Sequence, residues 1–223
     1  RSMPNLRPAT KADAPVLAKI SILAGGGTFE LLLKGLKRGV SVQDVMNKLC
    51  AAADTEYSFN YYQLVVEGEE TLGGVNYISV ADRYKLAPNI NPILQREFKF
   101  GWIQLIKFLI RARHLKGMNI LKAPKNSLHI NDVAIFPQNQ GKGLGKMLVE
   151  FVIRQAQERK FDYVSLNVWT DNTSAVKFYE ELGFQIAKTA SVRSHKYLPH
   201  SSAHLMLLSV SSRASRESGG VVI

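Results

Sequence analysis

The feature that most constrains this chain is Gln140-Gly141-Lys142-Gly143-Leu144-Gly145-Lys146, a glycine-rich turn set between an apolar run and an amphipathic segment. Upstream, Leu128 to Ile135 reads as a strand that Phe136-Pro137 ends. Downstream, Leu144, Met147, Leu148, Phe151 and Val152 recur at i, i+3, i+4, i+7 and i+8, which places them on one face of a helix. A turn of this kind leaves backbone N–H groups unpaired at the positive end of a helix dipole, a seat for phosphate. The spacing limits which phosphate. A nucleotide-hydrolysing P-loop needs glycine where Gln140 stands and a magnesium-binding hydroxyl where Met147 stands. A dinucleotide fingerprint needs a third glycine where Lys146 stands. What remains is Gln-x-x-Gly-x-Gly.

The rest of the chain supplies strands and helices around this unit. Leu6 to Thr10 reads as a strand, with a helix from about Ala12 to Leu23 that Gly25-Gly26-Gly27 breaks. Thr28 and Ser41 are expected to cap two further helices. Tyr61 to Glu67 and Leu72 to Val80 form a hairpin around Gly68-Glu69-Glu70. Pro88 to Pro92 reads as a loop, and Phe98 to Leu115 as an apolar, basic helix carrying Trp102, Leu105, Ile106, Leu109 and Ile110. Three roles fit that helix: packing on the sheet or on a partner subunit, a substrate lid, or a membrane-surface helix. Tyr163 to Trp169 is a strand, Ser174 to Leu182 a helix that Asn172 or Thr173 starts and Gly183 stops, and Phe184 to Ala190 and His204 to Val210 are the last strands. The expectation is one domain over residues 3–210 with a helical insertion at about 88–126, then a disordered serine- and arginine-rich tail over 211–223. Arg1 and Ser2, ahead of Met3, read as an appended leader outside the fold.

With 46% hydrophobic residues in a length of 223, the chain can bury a sizeable core. The single cysteine, Cys50, excludes an internal disulfide, and its place after Val45, Met46 and Leu49 favours a buried thiol over a nucleophile. No Cys/His cluster has metal spacing, so no metal is expected. No secretory signal stands out and no apolar run is long enough to span a bilayer, so a cytoplasmic setting is expected. The net charge of +11 suits an anionic ligand, but the basic residues are spread along the chain and nucleic acid is not the expected partner.

Three motifs in order carry a resemblance. Asp132-Val-Ala-Ile-Phe-Pro137, then Gln140-Gly-Lys-Gly-Leu-Gly-Lys146, then Asn172-Thr-Ser-Ala-Val-Lys-Phe-Tyr179-Glu-Glu-Leu-Gly-Phe184 resemble the GNAT superfamily of acyl-CoA-dependent N-acetyltransferases. The resemblance implies a mixed α/β (α+β) fold, with a mostly antiparallel central sheet splayed between its fourth and fifth strands and helices on both faces. It implies acetyl-CoA as acyl donor, with pantetheine amides pairing the free edge at Val133, Ala134 and Ile135. The pyrophosphate would lie on Gln140, Gly141, Lys142, Gly143, Leu144, Gly145 and Lys146, with the glycines allowing close approach. Lys142 and Lys146 either add charge there or are simply solvated. Asn172 and Ala175 would touch the cofactor, though Asn172 as a plain helix cap would look the same.

For chemistry, the resemblance implies that the Tyr179 hydroxyl lies near the CoA sulfur. An unperturbed thiol has a pKa of roughly 8.5 and a tyrosine one of about 10, so the hydroxyl can donate to a departing thiolate. The attacking amine must lose a proton first. His129 occupies a position resembling that of a base in some relatives, and an imidazole titrates near neutrality. Asp132 is the second candidate, on the opposite side of an ideal strand unless a bulge alters the parity. The implied reaction is direct transfer to a primary amine through a tetrahedral intermediate, with a backbone N–H near Ile135 holding the oxyanion. A small metabolite or amino acid is the first-choice acceptor, a protein N-terminus or lysine the second, an aminoglycoside or polyamine the third. A non-catalytic acyl-CoA sensor and a nucleic-acid-binding surface are readings of another class. The apolar 98–115 helix makes a homodimer reasonable.

Overall fold

In a computed structural model, which describes residues 3–211, the chain forms one seven-stranded sheet with helices on both faces. The order is β1 (Asn5–Pro8), α1 (Ala14–Ala24), α2 (Thr28–Leu33), α3 (Val42–Ala51), β2 (Tyr62–Glu67), β3 (Glu70–Ser79), α4 (Val80–Leu86), α5 (Ile90–Phe98), α6 (Trp102–Ala112), β4 (Ser127–Ile135), α7 (Leu144–Glu158), β5 (Tyr163–Trp169), α8 (Thr173–Glu181), β6 (Gln185–Ser191) and β7 (Ser202–Ser209). The strands lie in the order β1-β2-β3-β4-β5-β7-β6, and every neighbouring pair is antiparallel except the parallel pair β4–β5. The tail past Ser211 lies outside the described residues, as do Arg1 and Ser2.

Local chemistry sets the boundaries. Ser41 Oγ accepts from the Asp44 N–H at 3.0 Å while the Asp44 carboxylate accepts from the Ser41 N–H at 2.8 Å, so a reciprocal cap starts α3. Thr28 does not cap α2 as expected. Gly27 does, at φ 98, and Thr28 is already helical. Only glycine fits there, because a Cβ would lie 1.9 Å from the Tyr197 carbonyl oxygen. The loop expected at 88–92 is largely helical. Ser79 Oγ accepts from the Asp82 N–H at 3.0 Å and starts α4, and Pro92 sits in the first turn of α5, where a missing N–H breaks no helical bond. The expected 98–115 helix divides: Phe98 ends α5, Lys99 turns left-handed at φ 51, and α6 runs only to Ala112 before a 3-10 stretch over Arg113–Ile120.

Two large cores flank the sheet, beside a smaller cluster of Leu121, Ala190, Ala203 and Leu205. Leu17, Ile20, Met46 and Leu49 of α1 and α3 pack with Leu64 on one face. Leu148, Val149 and Val152 of α7 pack with Val164, Leu166 and Phe184 on the other. Each such fully buried side chain contributes about 1.5–3 kcal/mol relative to exposure.

The sheet splits at one place for a local reason. β4 and β5 pair from Ser127↔Tyr163 to Ile130↔Leu166 and no further. Beyond that, β4 stays with β3 to Ile135↔Gly73, and β5 stays with β7 to Trp169↔Ala203. Against β3, Asn76 opposes Asp132 and Tyr77 opposes Ile130, so Asn131 is an extra residue, a bulge. A bulge bends its strand and raises its twist. It sits where β4 leaves β5, and main-chain groups of both strands then face a gap.

Candidate active site

A cavity of about 880 Å³ occupies that gap. The turn after β4 forms one end of it. Gly141 at φ 76 and Gly143 at φ 77 are left-handed, and a Cβ built on either meets nothing within 4 Å. These glycines are therefore required by backbone conformation and open space rather than by packing. The first helical bond of α7 beyond the turn is Met147 N–H to the Gly143 carbonyl at 3.1 Å, which leaves the N–H groups of Leu144, Gly145 and Lys146 at the helix start without helical partners. Such a cradle can hold a diphosphate. Gln140 Nε2 donates to the Ile135 carbonyl at 3.0 Å and pins the turn to the strand end. Lys142 donates to Asn139 Oδ1 at 3.0 Å and does not line the cavity, whereas Lys146 lines it, 3.8 Å from Glu150.

Val133, Ala134 and Ile135 line the cavity along the free edge of β4, and Asn172, Ala175 and Tyr179 line it from the α8 side. Asn172 also caps α8, its Oδ1 accepting from the Ala175 N–H at 3.3 Å. Three asparagines had no motif to announce them. Asn131 Oδ1, Asn139 Nδ2 and Asn167 Oδ1 are buried, make no hydrogen bond to another described residue, and belong to cavity-lining side chains. Asn131 and Asn167 are the residues immediately past the last β4–β5 pair. Buried polar atoms are rarely left unpaired, so these three are available to bond a polar group that enters the cavity. Their signal is purely spatial.

The bulge also settles parity. Leu128, Ile130, Val133 and Ile135 pack toward α7. Ala134 packs toward α1, where Ser21 Oγ donates to Asp132 Oδ2 at 2.7 Å. His129, between Leu128 and Ile130, shares the Asp132 side, so both candidate bases face one end of the cavity. Their electrostatics differ. Burial pushes the His129 imidazole well below its ordinary value, Arg83 adds to the effect, and Nδ1 lies 2.8 Å from Ser165 Oγ. The near-neutral titration expected of His129 is therefore not found. Burial lifts the Asp132 carboxyl to about 7; Glu56 adds to the rise, while the Ser21 hydrogen bond and Arg83 oppose it. Asp132 is the group poised near neutrality. Ser21 is itself hydrogen-bonded to the Tyr62 hydroxyl.

Tyr179 is 7% exposed, its ring edge-on to Phe178 and Phe184 at centroid distances of 5.1 and 5.7 Å. Its hydroxyl makes no hydrogen bond to another described residue, and burial raises its pKa, so the proton stays on oxygen. Cys50 is buried, does not line the cavity, and its thiol is pushed up to about 12, chiefly by burial and further by Asp132. Among the described residues no three His, Cys, Asp or Glu side chains gather at metal-binding spacing.

The far end of the cavity is walled by Gly25 and Phe29 of the α1–α2 region, Tyr57, Arg83 of α4 and Met118. Arg83 Nε donates to Glu56 Oε2 at 2.9 Å, and neither of its Nη groups bonds another described residue. The α1–α2 loop is fastened there. His200 Nδ1 lies 2.8 Å from Asp171, Nε2 lies 3.0 Å from the Gly26 carbonyl, and the ring stacks on Trp169 at 4.6 Å.

The profile of the acetyltransferase (GNAT) family matches residues 97–184. That match covers less than half of the chain, and over it the chain is similar to the GNAT family. It takes in β4, the glycine turn, α7, β5 and α8, the elements that build the glycine-turn end of the cavity. Over 52 residues the chain is 42% identical to a mycothiol acetyltransferase of Tsukamurella paurometabola, covering 23% of this chain and 18% of that protein. It is 34% identical over 83 residues to a [ribosomal protein bS18]-alanine N-acetyltransferase of Salmonella typhimurium, covering 36% of this chain and 54% of that protein. The chain thus spans well under two thirds of these curated relatives. Outside 97–184 the likeness is one of GNAT fold: an N-acetyltransferase structure from Staphylococcus aureus Mu50 superposes with TM-score 0.67 at 17% identity, covering 92% of this chain and 100% of that one.

Proposed function

We propose that this chain transfers an acetyl group from acetyl-CoA to a primary amine in one direct step. The observation that carries this reading is a single cavity faced by an open glycine cradle, a split sheet edge, Tyr179 and Asp132. The N–H groups from Gly141 to Lys146 receive the diphosphate. The free main chain of Val133 to Ile135, with Asn131 and Asn167, pairs the amides of the pantetheine arm. Asp132 takes a proton from the incoming ammonium, which frees the lone pair for attack on the thioester carbonyl; a C–N bond forms and the C–S bond breaks. His129, neutral and bonded to Ser165, orients the site rather than acting as the base. Tyr179 donates a hydrogen bond to the departing sulfur. Full proton transfer from a tyrosine to a thiolate is uphill by about 1.5 pKa units before burial, and burial widens the gap, so Tyr179 acts as a fixed donor.

The acceptor we favour is a small amine that carries a carboxylate, such as an amino acid. Its ammonium meets Asp132 and its carboxylate the free Nη groups of Arg83, since a guanidinium fork matches a carboxylate. The His200 contact with the Gly26 carbonyl holds in place the α1–α2 loop that borders this end of the cavity. Thiol release from acetyl-CoA across a panel of amines tests the reading. Turnover with amino-acid-like acceptors supports it; acetyl-CoA binding with no turnover on any amine makes the chain a sensor. Arg83→Lys should raise KM for carboxylated acceptors by about tenfold and leave acceptors without a carboxylate unchanged. An equal effect on both classes removes Arg83 from recognition.

Gly143→Val tests the cradle. A Cβ at this position meets nothing within 4 Å, but a β-branched residue at φ 77 carries about 1–3 kcal/mol of strain. Relieving that strain moves the amides, and the side chain enters the phosphate seat. Acetyl-CoA affinity should fall about tenfold or more, measured by calorimetry; an unchanged affinity contradicts the phosphate assignment.

A further inference from the structure

α6 wears its apolar face outward. Trp102 is 71% exposed, Leu109 55% and Ile110 56%, with Ile103 and Ile106 beside them, while Phe108 packs inward and the Arg111 guanidinium donates to the Lys34 carbonyl at 2.6 Å. At 3.6 residues per turn, positions 102, 103, 106, 109 and 110 form one continuous stripe. Isolated exposed apolar side chains need no explanation, but a contiguous stripe marks an interaction surface.

The charge around the stripe says what kind. From Phe98 to Asn131 the sequence holds no aspartate or glutamate, yet it holds Lys99, Lys107, Arg111, Arg113, Lys116, Lys122 and Lys125. Lys107 flanks the stripe, Lys99 precedes the helix and Arg113 and Lys116 follow it, all exposed. A second copy docked through this face would bring two such cation-rich surfaces together, and Glu97, the nearest acid in sequence, is already paired with Lys48 and Arg96. A nucleic acid would satisfy the cations and leave the isoleucines in water. A bilayer with anionic headgroups satisfies both, with the stripe in the acyl boundary, Trp102 at headgroup level and the cations on phosphates.

We infer that α6 docks the chain on an anionic lipid surface, lying in its plane. Among the described residues no helix is long and apolar enough to cross a membrane. The inference is independent of the acetyl-transfer reading, since it uses no residue of the cavity.

The test is co-sedimentation of the full chain with vesicles of phosphatidylcholine alone or mixed with phosphatidylglycerol. Binding to the mixed vesicles is expected at low salt, with a blue shift of tryptophan emission, and little binding to phosphatidylcholine alone. Salt at roughly 1 M, where the Debye length is about 3 Å, should weaken it. The double variants Ile106→Ser/Ile110→Ser and Lys107→Glu/Arg113→Glu should each lose about tenfold in vesicle affinity, with melting temperatures unchanged because these side chains are exposed. Equal binding by the serine variant would mean that the overall charge of +11 alone attracts the vesicles, and would overturn the assignment. So would absence of binding at low salt, or a dimer in sedimentation velocity that the serine variant abolishes without any vesicle binding, which would give the face to a second copy.

Discussion

Asp132→Asn is expected to lower kcat/KM by about 10²–10⁴-fold, the usual contribution of a positioned acid or base. The amide keeps the size of the side chain and its contact with Ser21 but cannot accept the proton of the ammonium. The pH profile carries the stronger test. With a folded pKa of about 7, wild-type kcat/KM should rise with pH through 7 as the carboxylate forms, best seen with an acceptor basic enough to stay an ammonium across that range. The variant should lose that limb, and His129→Gln should keep it, since burial holds His129 neutral across the range. Stability should move oppositely. A carboxyl whose folded pKa is raised binds its proton more tightly in the folded state. Its stabilising contribution is present below the unfolded value near 4 and is lost as pH rises through about 7, on the order of a few kcal/mol. Asp132→Asn should therefore melt higher than wild type above pH 7 and near it at about pH 4. A variant that keeps both the limb and the turnover assigns the base elsewhere.

Tyr179→Phe should lower the chemical rate by about 10²–10³-fold, the scale for removing one fixed donor to developing charge in a water-poor site. The loss should appear in kcat with little change in acetyl-CoA affinity, because the hydroxyl is needed when the sulfur acquires charge. The ring contacts with Phe178 and Phe184 survive the substitution, so folding is little affected. Single-turnover measurement isolates the chemical step. An unchanged rate there would make Tyr179 a core side chain that happens to border the cavity.

Much of this was legible in the sequence, because the glycine turn, the periodicity of 144–152 and the cap at Asn172 are local signals. The helix α7 follows from that periodicity, and the pairing of Tyr62–Glu67 with Glu70–Ser79 from the two apolar runs around Gly68-Glu69-Glu70. The region from 80 to 120 was less legible. There Ser79 with Asp82 starts a helix by a cap, and Pro88 and Pro92 occupy a 3-10 turn and a first turn that tolerate them, so breaker residues concealed helices. The site was half legible. The residue types of the cradle and of Tyr179 appear as motifs, but which carboxylate or imidazole titrates near neutrality depends on burial. The bulge at Asn131, which brings His129 and Asp132 to one side, exists only once β3 pairs with β4. Asn131, Asn139 and Asn167 reveal themselves only as buried atoms without partners.

Calorimetric titration of the folded chain with acetyl-CoA, beside desulfo-CoA lacking the thioester and pantetheine lacking the diphosphate, probes the cavity most directly. Saturable 1:1 heats are expected for acetyl-CoA and desulfo-CoA, and far weaker binding of pantetheine, on the proposal that the amides at Gly141 to Lys146 receive the diphosphate. No heat with acetyl-CoA at millimolar concentration, or equal affinity for pantetheine, would contradict it.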